Sequence, residues 1–228
     1  MKLSETKGVY DLVVSLGCWC GPAIYTKEHH LRKNSFPFDW IQSPHLNMVN
    51  QLLKNKFKNY MEKDHMEEKN ITAHFVHEGQ VIYEEGGTTP ARAHFVHDRL
   101  YQIDSVHDFP MIANQQWTDQ YPAFKQKLNK RIQNFLTKIQ TSKKTLFIRY
   151  EWEIAKYEDI IELQTTLSKI TRGPFNLIII QQVNVPLERP LIDEEWPHER
   201  ICFVKIPVNH HYDKQIWNEI LTDVSLRK

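Results

Sequence analysis

The sequence predicts an α/β fold, a three-layer sandwich around a mainly parallel sheet, with a β-hairpin-rich insertion at about residues 70–110. Three observations predict it. Short β-branched runs alternate with amphipathic stretches long enough to serve as crossover helices. The run "FNLIIIQQV" is apolar at successive positions, as a strand covered on both faces must be. Between about 70 and 110 the pattern changes to short alternating runs broken by turn residues, the signature of hairpins.

The elements follow in order. "VYDLVVSL" (9–16) reads as a buried strand ended by Gly17. Pro22 suits the first turn of a helix, where its missing N–H costs nothing, and Ile24, Glu28 and Leu31 carry that helix to "HLRKN". "SFPFDWIQSP" is a loop, and Ser43–Pro44 reads as the N-cap and first position of a second helix marked by Leu46, Val49, Leu53 and Phe57. "ITAHFVHEGQVIYEEGG" and "RAHFVHDRLYQID" predict hairpins, and their shared AHFVH (73–77 and 93–97) reads as two similar strands. Phe124, Leu128, Ile132, Phe135, Leu136 and Ile139 form a helical stripe leading to the strand "TLFIRY". Ile160, Leu163, Leu167 and Ile170 mark the next helix, which Gly173–Pro174 ends before "FNLIIIQQV". "RICFVKIPV" is a further strand, and "DKQIWNEILTDV" closes the chain as an amphipathic helix. No linker rich in Pro, Gly or Ser divides residues 1–228, so one domain with an inserted lobe or flap is expected.

Composition narrows the function classes. With 29 basic and 28 acidic residues the net charge is +1, so no global field favours nucleic acid or an anionic membrane as partner. Twelve histidines make that charge responsive to mild acid. "MKLSETKGVYDLVVSLG" does not read as a secretion signal, and no run approaches the ~20 apolar residues of a membrane span. The three cysteines, Cys18, Cys20 and Cys202, then read as reduced thiols of a cytoplasmic protein.

Ser15, Gly17, Cys18 and Cys20 fall at the carboxyl end of the first strand, where open parallel sheets bind ligands. Helix-start amides there would stabilise a Cys20 thiolate, and backbone donors around Gly17 and Gly21, with Ser15 beside them, would hold an oxyanion. The competing reading is a cysteine that only packs against the sheet.

Five pieces of the chain, "YDLVVSLGCWC", "LRKNSFPFDWIQSP", "VHDFP", "KRIQNFL" and "LFIRY", resemble the bacterial family known as "putative papain-like cysteine peptidase", domain of unknown function 1796. Its most specific element is a Ser-Leu-Gly-x-x-Cys run followed about twenty residues later by Asp-Trp. The resemblance makes Cys20, rather than Cys18, the family cysteine and Asp39–Trp40 the family pair. It matches His107–Asp108 to the His-Asp step and Arg131 and Arg149 to two arginines. The name implies a papain-like fold, a helical lobe against a β-barrel; the strand–helix alternation implies a parallel sheet instead, and it sets the expectation.

A thiol enzyme needs a base in reach and a group that orients it. His107 is the candidate base, with Asp39 or Asp108 as orienter. Asp39, among aromatic neighbours, is expected to be buried and paired with a histidine, an arginine or backbone amides, an ion pair with Arg149 being the structural option. Arg149, Arg131 and Trp40 are the candidates for holding substrate. No metal or other cofactor is expected: His74/His77 and His94/His97 point to opposite faces of a strand, and no HExxH, CxxC or phosphate-loop signature is present.

The leading expectation is a cysteine-dependent hydrolase, peptidase- or amidase-like, or an acyltransferase, acting through a Cys20 thiolate on a small-molecule or peptide substrate. One alternative is an SGNH-like esterase using Ser15 with a late histidine such as His210 or His211. The other is a non-catalytic ligand- or partner-binding α/β domain.

Overall fold

The first apolar run splits at Asp11, into β1 (Gly8–Tyr10) and β2 (Leu12–Ser15), and α1 (Gly21–Glu28) follows. The computed structural model describes residues 1–77, 80–184 and 190–227. After β3 (Ile41–Gln42) and α2 (Leu46–Lys54) come the strands of the insertion: β4 (Met66–His74), β5 (Val76–His77), β6 (Gln80–Val81), β7 (Arg92–Asp98) and β8 (Ile103–Pro110). The long α3 (Trp117–Thr141) leads to β9 (Thr145–Glu151), α4 (Tyr157–Ile170) and β10 (Phe175–Val183). The chain ends through β11 (Ile192–Glu194), β12 (Ile201–Pro207), α5 (Lys214–Leu221) and β13 (Val224–Leu226).

In space β2, β9, β10 and β12 lie side by side and parallel, with β11 antiparallel at the edge. The expected parallel pairing is seen, since 145–151 and 175–183 pair in parallel, and the antiparallel barrel that the family name implies is not. A second sheet, β3-β8-β7-β4, is antiparallel and holds most of the insertion. β5 and β6 form a separate hairpin. β1 pairs in parallel with β13.

Alternation explains why the central strands are apolar throughout. Leu177 and Ile179 join a cluster with Val14, Phe147 and residues of α2, α3 and α4. Ile178 and Ile180 join another with Val13, Ile148 and residues of α1 and α5. All four are wholly buried, and each contributes about 1.5–3 kcal/mol of transfer free energy. On the second face Tyr25 of α1 stacks on the buried Trp217 of α5, ring centroids 4.5 Å apart.

Several boundaries depart from expectation, each for a local reason. Asp11 splits the first strand because its carboxylate accepts from Lys144 N at 2.7 Å and from Arg227, redirecting the ladder. The first helix stops at Glu28, and His30 takes a left-handed φ of 58°. The second helix ends at Lys54, so Phe57 (φ 62°) packs from the following turn. Its N-cap is His45; Ser43 is drawn away by Arg149 and Cys18. In the first AHFVH copy the strand breaks at Phe75, while the second copy lies wholly in β7. The closing segment carries a strand, β13, that the helical pattern concealed.

Candidate functional site

Beyond the carboxyl ends of β2, β9 and β12 lies a pocket of about 330 Å³. Cys20 and Trp19 enter it from the turn after β2, Trp152 from the end of β9, and His211 and Tyr212 from the loop after β12. The antiparallel sheet closes the other side with Gln42, Phe95 and His107 among its contributions. The wall therefore brings a thiol and two imidazoles together from segments far apart in the chain. A larger pocket of about 470 Å³ beside Trp196 holds no cysteine or histidine among its described lining residues.

The turn that delivers Cys20 is built by consecutive left-handed residues, Gly17 (φ 79°) and Cys18 (φ 76°). A Cβ on Gly17 would press on Ser43 Oγ at 3.0 Å and Phe38 O at 3.2 Å, so the position needs glycine for space as well as for φ. The turn is then locked from behind. Ser43 Oγ accepts from Cys18 N at 3.1 Å, and Ser43 N donates to Cys18 O at 3.0 Å. Arg149 Nη1 donates to Leu16 O at 2.9 Å and to Ser43 Oγ at 2.8 Å, while its Nε donates to Glu151 Oε1 at 2.7 Å. Arg149 is wholly buried, so it is an internal brace and not the substrate contact expected of it.

Cys20 itself is part-buried immediately before α1. Burial pushes its thiol up to about 11, and its own backbone N–H offsets this only in part. The expected resting thiolate is thereby corrected: dehydration outweighs the helix-start amides, and the sulfur rests protonated. Cys18 and Cys202 are wholly buried and pushed up to about 12. Gly21 is dictated by packing, since a Cβ there would collide with the Trp19 indole. That indole meets Tyr150, His211 and Tyr212 edge-on, with centroids 5.0–5.8 Å apart.

His107 lies on β8, and its Nδ1 stands 2.7 Å from His74 O. A carbonyl only accepts, so Nδ1 carries the proton and Nε2 keeps its lone pair. Burial lowers its pKa, against opposing contributions from the His74 carbonyl and the Asp108 charge. The imidazole rests neutral. Its orienting partner is therefore a backbone carbonyl and neither of the expected carboxylates.

Those carboxylates are engaged elsewhere. Asp108 Oδ1 accepts from Arg131 Nη1 at 3.1 Å, with Lys127 Nζ at 3.6 Å, and Oδ2 accepts from Ser105 Oγ at 3.3 Å. Asp39, wholly buried, accepts on Oδ2 from Arg32 Nε (3.1 Å), Arg32 Nη2 (2.7 Å) and Phe36 N (2.7 Å). The expected burial and pairing of Asp39 hold, but its arginine is Arg32 and not Arg149. Burial still raises the Asp39 pKa, and its Oδ1 has no protein partner among the described residues. Arg32 places its guanidinium 5.1 Å above the Trp40 ring, whose edge-on neighbour at 6.3 Å is His107. Trp40 packs edge-on against His107 and Arg131 bonds Asp108, and neither lines the pocket. Ser15 is buried, and its Oγ accepts from Gly17 N at 3.2 Å, a turn-forming bond that takes up the Gly17 donor.

Sequence reasoning missed Arg32, Trp19, Trp152, Tyr212 and the His74 carbonyl. Trp19 and Arg32 fall within the resembling pieces "YDLVVSLGCWC" and "LRKNSFPFDWIQSP", but "LRKN" reads as the tail of a helix and no pattern flags the others. Among the described residues no group of three His, Cys, Asp or Glu side chains is placed to hold a metal ion, and no helix is long and apolar enough to cross a membrane.

The family model described as "Putative papain-like cysteine peptidase (DUF1796)" matches residues 11–183. The uncharacterized protein R408 of Acanthamoeba polyphaga mimivirus is 26% identical over 219 residues, covering 92% of this chain and 96% of the relative. That relative is viral, so the resemblance by itself does not make the chain bacterial. No solved structure matches significantly.

Proposed function

The chain belongs to the DUF1796 family, and from that premise we propose that it is a cysteine-dependent hydrolase or acyltransferase with Cys20 as nucleophile and His107 as base. One observation carries the reading: Cys20 and His107 line one pocket, with His107 tautomerically fixed to present a free Nε2. Both groups start neutral. As a substrate carbonyl binds, Nε2 takes the thiol proton while Sγ attacks carbon, so no ion pair needs to be stored beforehand. In the tetrahedral intermediate the oxyanion is held by helix-start backbone donors such as Gly21 N–H. Collapse breaks the bond to the leaving group, which takes the proton from His107 and leaves a thioester on Cys20. Water, or another acceptor, then attacks that thioester, His107 takes its proton, and Sγ regains one as it departs. The Asp108 charge, held by Arg131, Lys127 and Ser105, favours the imidazolium that forms in each half-reaction.

The apolar clusters on opposite faces of the parallel sheet support three layers, with the sheet in the middle. A peptide or small-molecule substrate, free of nucleic acid and membrane, and a cytoplasmic setting remain part of the proposal. The Ser15 esterase reading is less favoured, because Ser15 Oγ is buried on Gly17 N and does not line the pocket.

Activity-based labelling tests the choice. A thioester-forming carbonyl probe should label Cys20 in the native protein, and both Cys20→Ser and His107→Ala should abolish it. A fluorophosphonate adduct on Ser15 would replace this reading with the esterase. No adduct from either probe would replace it with a binding domain.

A further inference from the structure

We propose that the Cys20 pocket is selective for an uncharged apolar acyl group, aromatic or branched, and discriminates against groups bearing a carboxylate. This inference rests on the nucleophile reading above and adds the substrate class to it.

The wall around Cys20 carries no Asp, Glu, Lys or Arg side chain among the described residues. It is dominated by rings: Trp19 and Phe95 are almost wholly buried, Trp152 is half-buried, and Tyr212 stands exposed at the mouth. Gln42 and Thr72 supply neutral polarity. Of the cations that adjoin this wall, Lys69 is neutralised by an acid and Arg92 turns donors to the main chain and hydroxyl of Thr72. Lys69 lies 5.8 Å from the Phe95 ring but bonds Asp104 at 2.8 Å. Arg92 donates its Nε to Thr72 Oγ1 at 3.0 Å and its Nη2 to Thr72 O at 3.1 Å. The two histidines facing the pocket both have pKa values lowered by burial, so they too are neutral near pH 7.

A carboxylate entering here would lose its water and meet no cationic side chain on the wall among the described residues, which costs several kcal/mol. A phenyl or branched alkyl group would replace water against ring faces and edges, the arrangement aromatic walls favour. A volume of about 330 Å³ falls at the lower end of small-ligand sites and suits one such group beside the reacting carbonyl.

Alkylation of Cys20 reads this directly and requires no turnover. With N-benzyl iodoacetamide or iodoacetate, the Cys20 Sγ–CH2 bond forms, iodide leaves, and the thiol proton passes to solvent. Each rate is divided by the same reagent's rate with glutathione, and adducts are assigned to Cys20 by peptide mapping. N-benzyl iodoacetamide should be favoured over iodoacetate by about tenfold or more. Gln42→Lys, which adds a cation to the wall, should raise the iodoacetate rate selectively. Equal scaled rates would overturn the selectivity while leaving the nucleophile reading intact. Failure of every reagent at Cys20 would overturn both.

Discussion

The pH dependence of Cys20 reactivity separates a stored thiolate from a thiol that is deprotonated only as it reacts. The perturbation is pH itself, with iodoacetamide as a neutral reagent. Burial pushes Cys20 up to about 11, against about 8.5 for a free thiol. Well below both values the thiolate is scarcer by about 300-fold. A more basic thiolate is also more nucleophilic, with a Brønsted coefficient of about 0.4–0.5, which restores about tenfold. Net alkylation near neutral pH should therefore be roughly 20- to 30-fold slower than that of glutathione-like thiols. The free thiol levels off above pH 8.5 or so, whereas Cys20 keeps climbing, and the two profiles should meet near about pH 10. His107→Ala should leave this profile almost unchanged, because a neutral imidazole does not hold the thiolate, while eliminating turnover. A Cys20 profile that levels off at or below about pH 8, and loses that plateau in His107→Ala, would refute the reasoning. It would restore a preformed thiolate–imidazolium pair.

Asp39→Ala should destabilise the fold by about 3–5 kcal/mol in urea unfolding, because it strands the buried Arg32 charge and the Phe36 amide; a loss below about 1 kcal/mol would contradict that. Gly21→Ala should cost about 1–3 kcal/mol and shift tryptophan fluorescence, since Trp19 must leave its ring cluster; an unchanged spectrum would show that Trp19 does not sit on Gly21. His107 and His211 both have folded pKa values below the ordinary 6.5, so their contribution to stability is fully present above about pH 6.5 and is lost as pH falls through the folded values. The stability difference between the wild type and His107→Asn should accordingly narrow as the pH is lowered, and a difference that grows would reverse the sign of the argument.

Periodicity carried the parallel sheet because the face a residue occupies depends on near neighbours in the chain. "FNLIIIQQV" could only be a strand with both faces covered, and Leu177 to Ile180 are indeed divided between two cores. Cys20 and His107 were legible as residue types, and the pocket holds both. The partners of the charged residues were not legible. Asp39 selects Arg32 over Arg149 because the chain bends back after α1, a turn set by the left-handed His30 that the helical run through "HLRKN" conceals. Arg149 looked like a substrate contact because it ends a strand, yet its side chain turns inward to Ser43 and Leu16 O. The sign of the Cys20 shift depends on how much water the aromatic wall removes, and that wall is drawn from four separate segments. No local pattern reports it.

The division of the pocket between two sheets has a consequence for how the protein comes into being. Cys20 sits where the parallel sheet begins, His107 arrives on the inserted antiparallel sheet, and His211 and Tyr212 follow the last long strand. During synthesis Cys20 emerges early, before His107 and well before the far wall. Closing loops of this length carries an entropic cost that must be met before the site's own contacts can contribute. In a nascent or partly unfolded chain Cys20 therefore lacks this wall, which exists only once strands of both sheets and the segment after β12 are in place. Assembly of the pocket and completion of the fold are thus coupled, so a lesion that loosens the inserted sheet would open the pocket without touching Cys20.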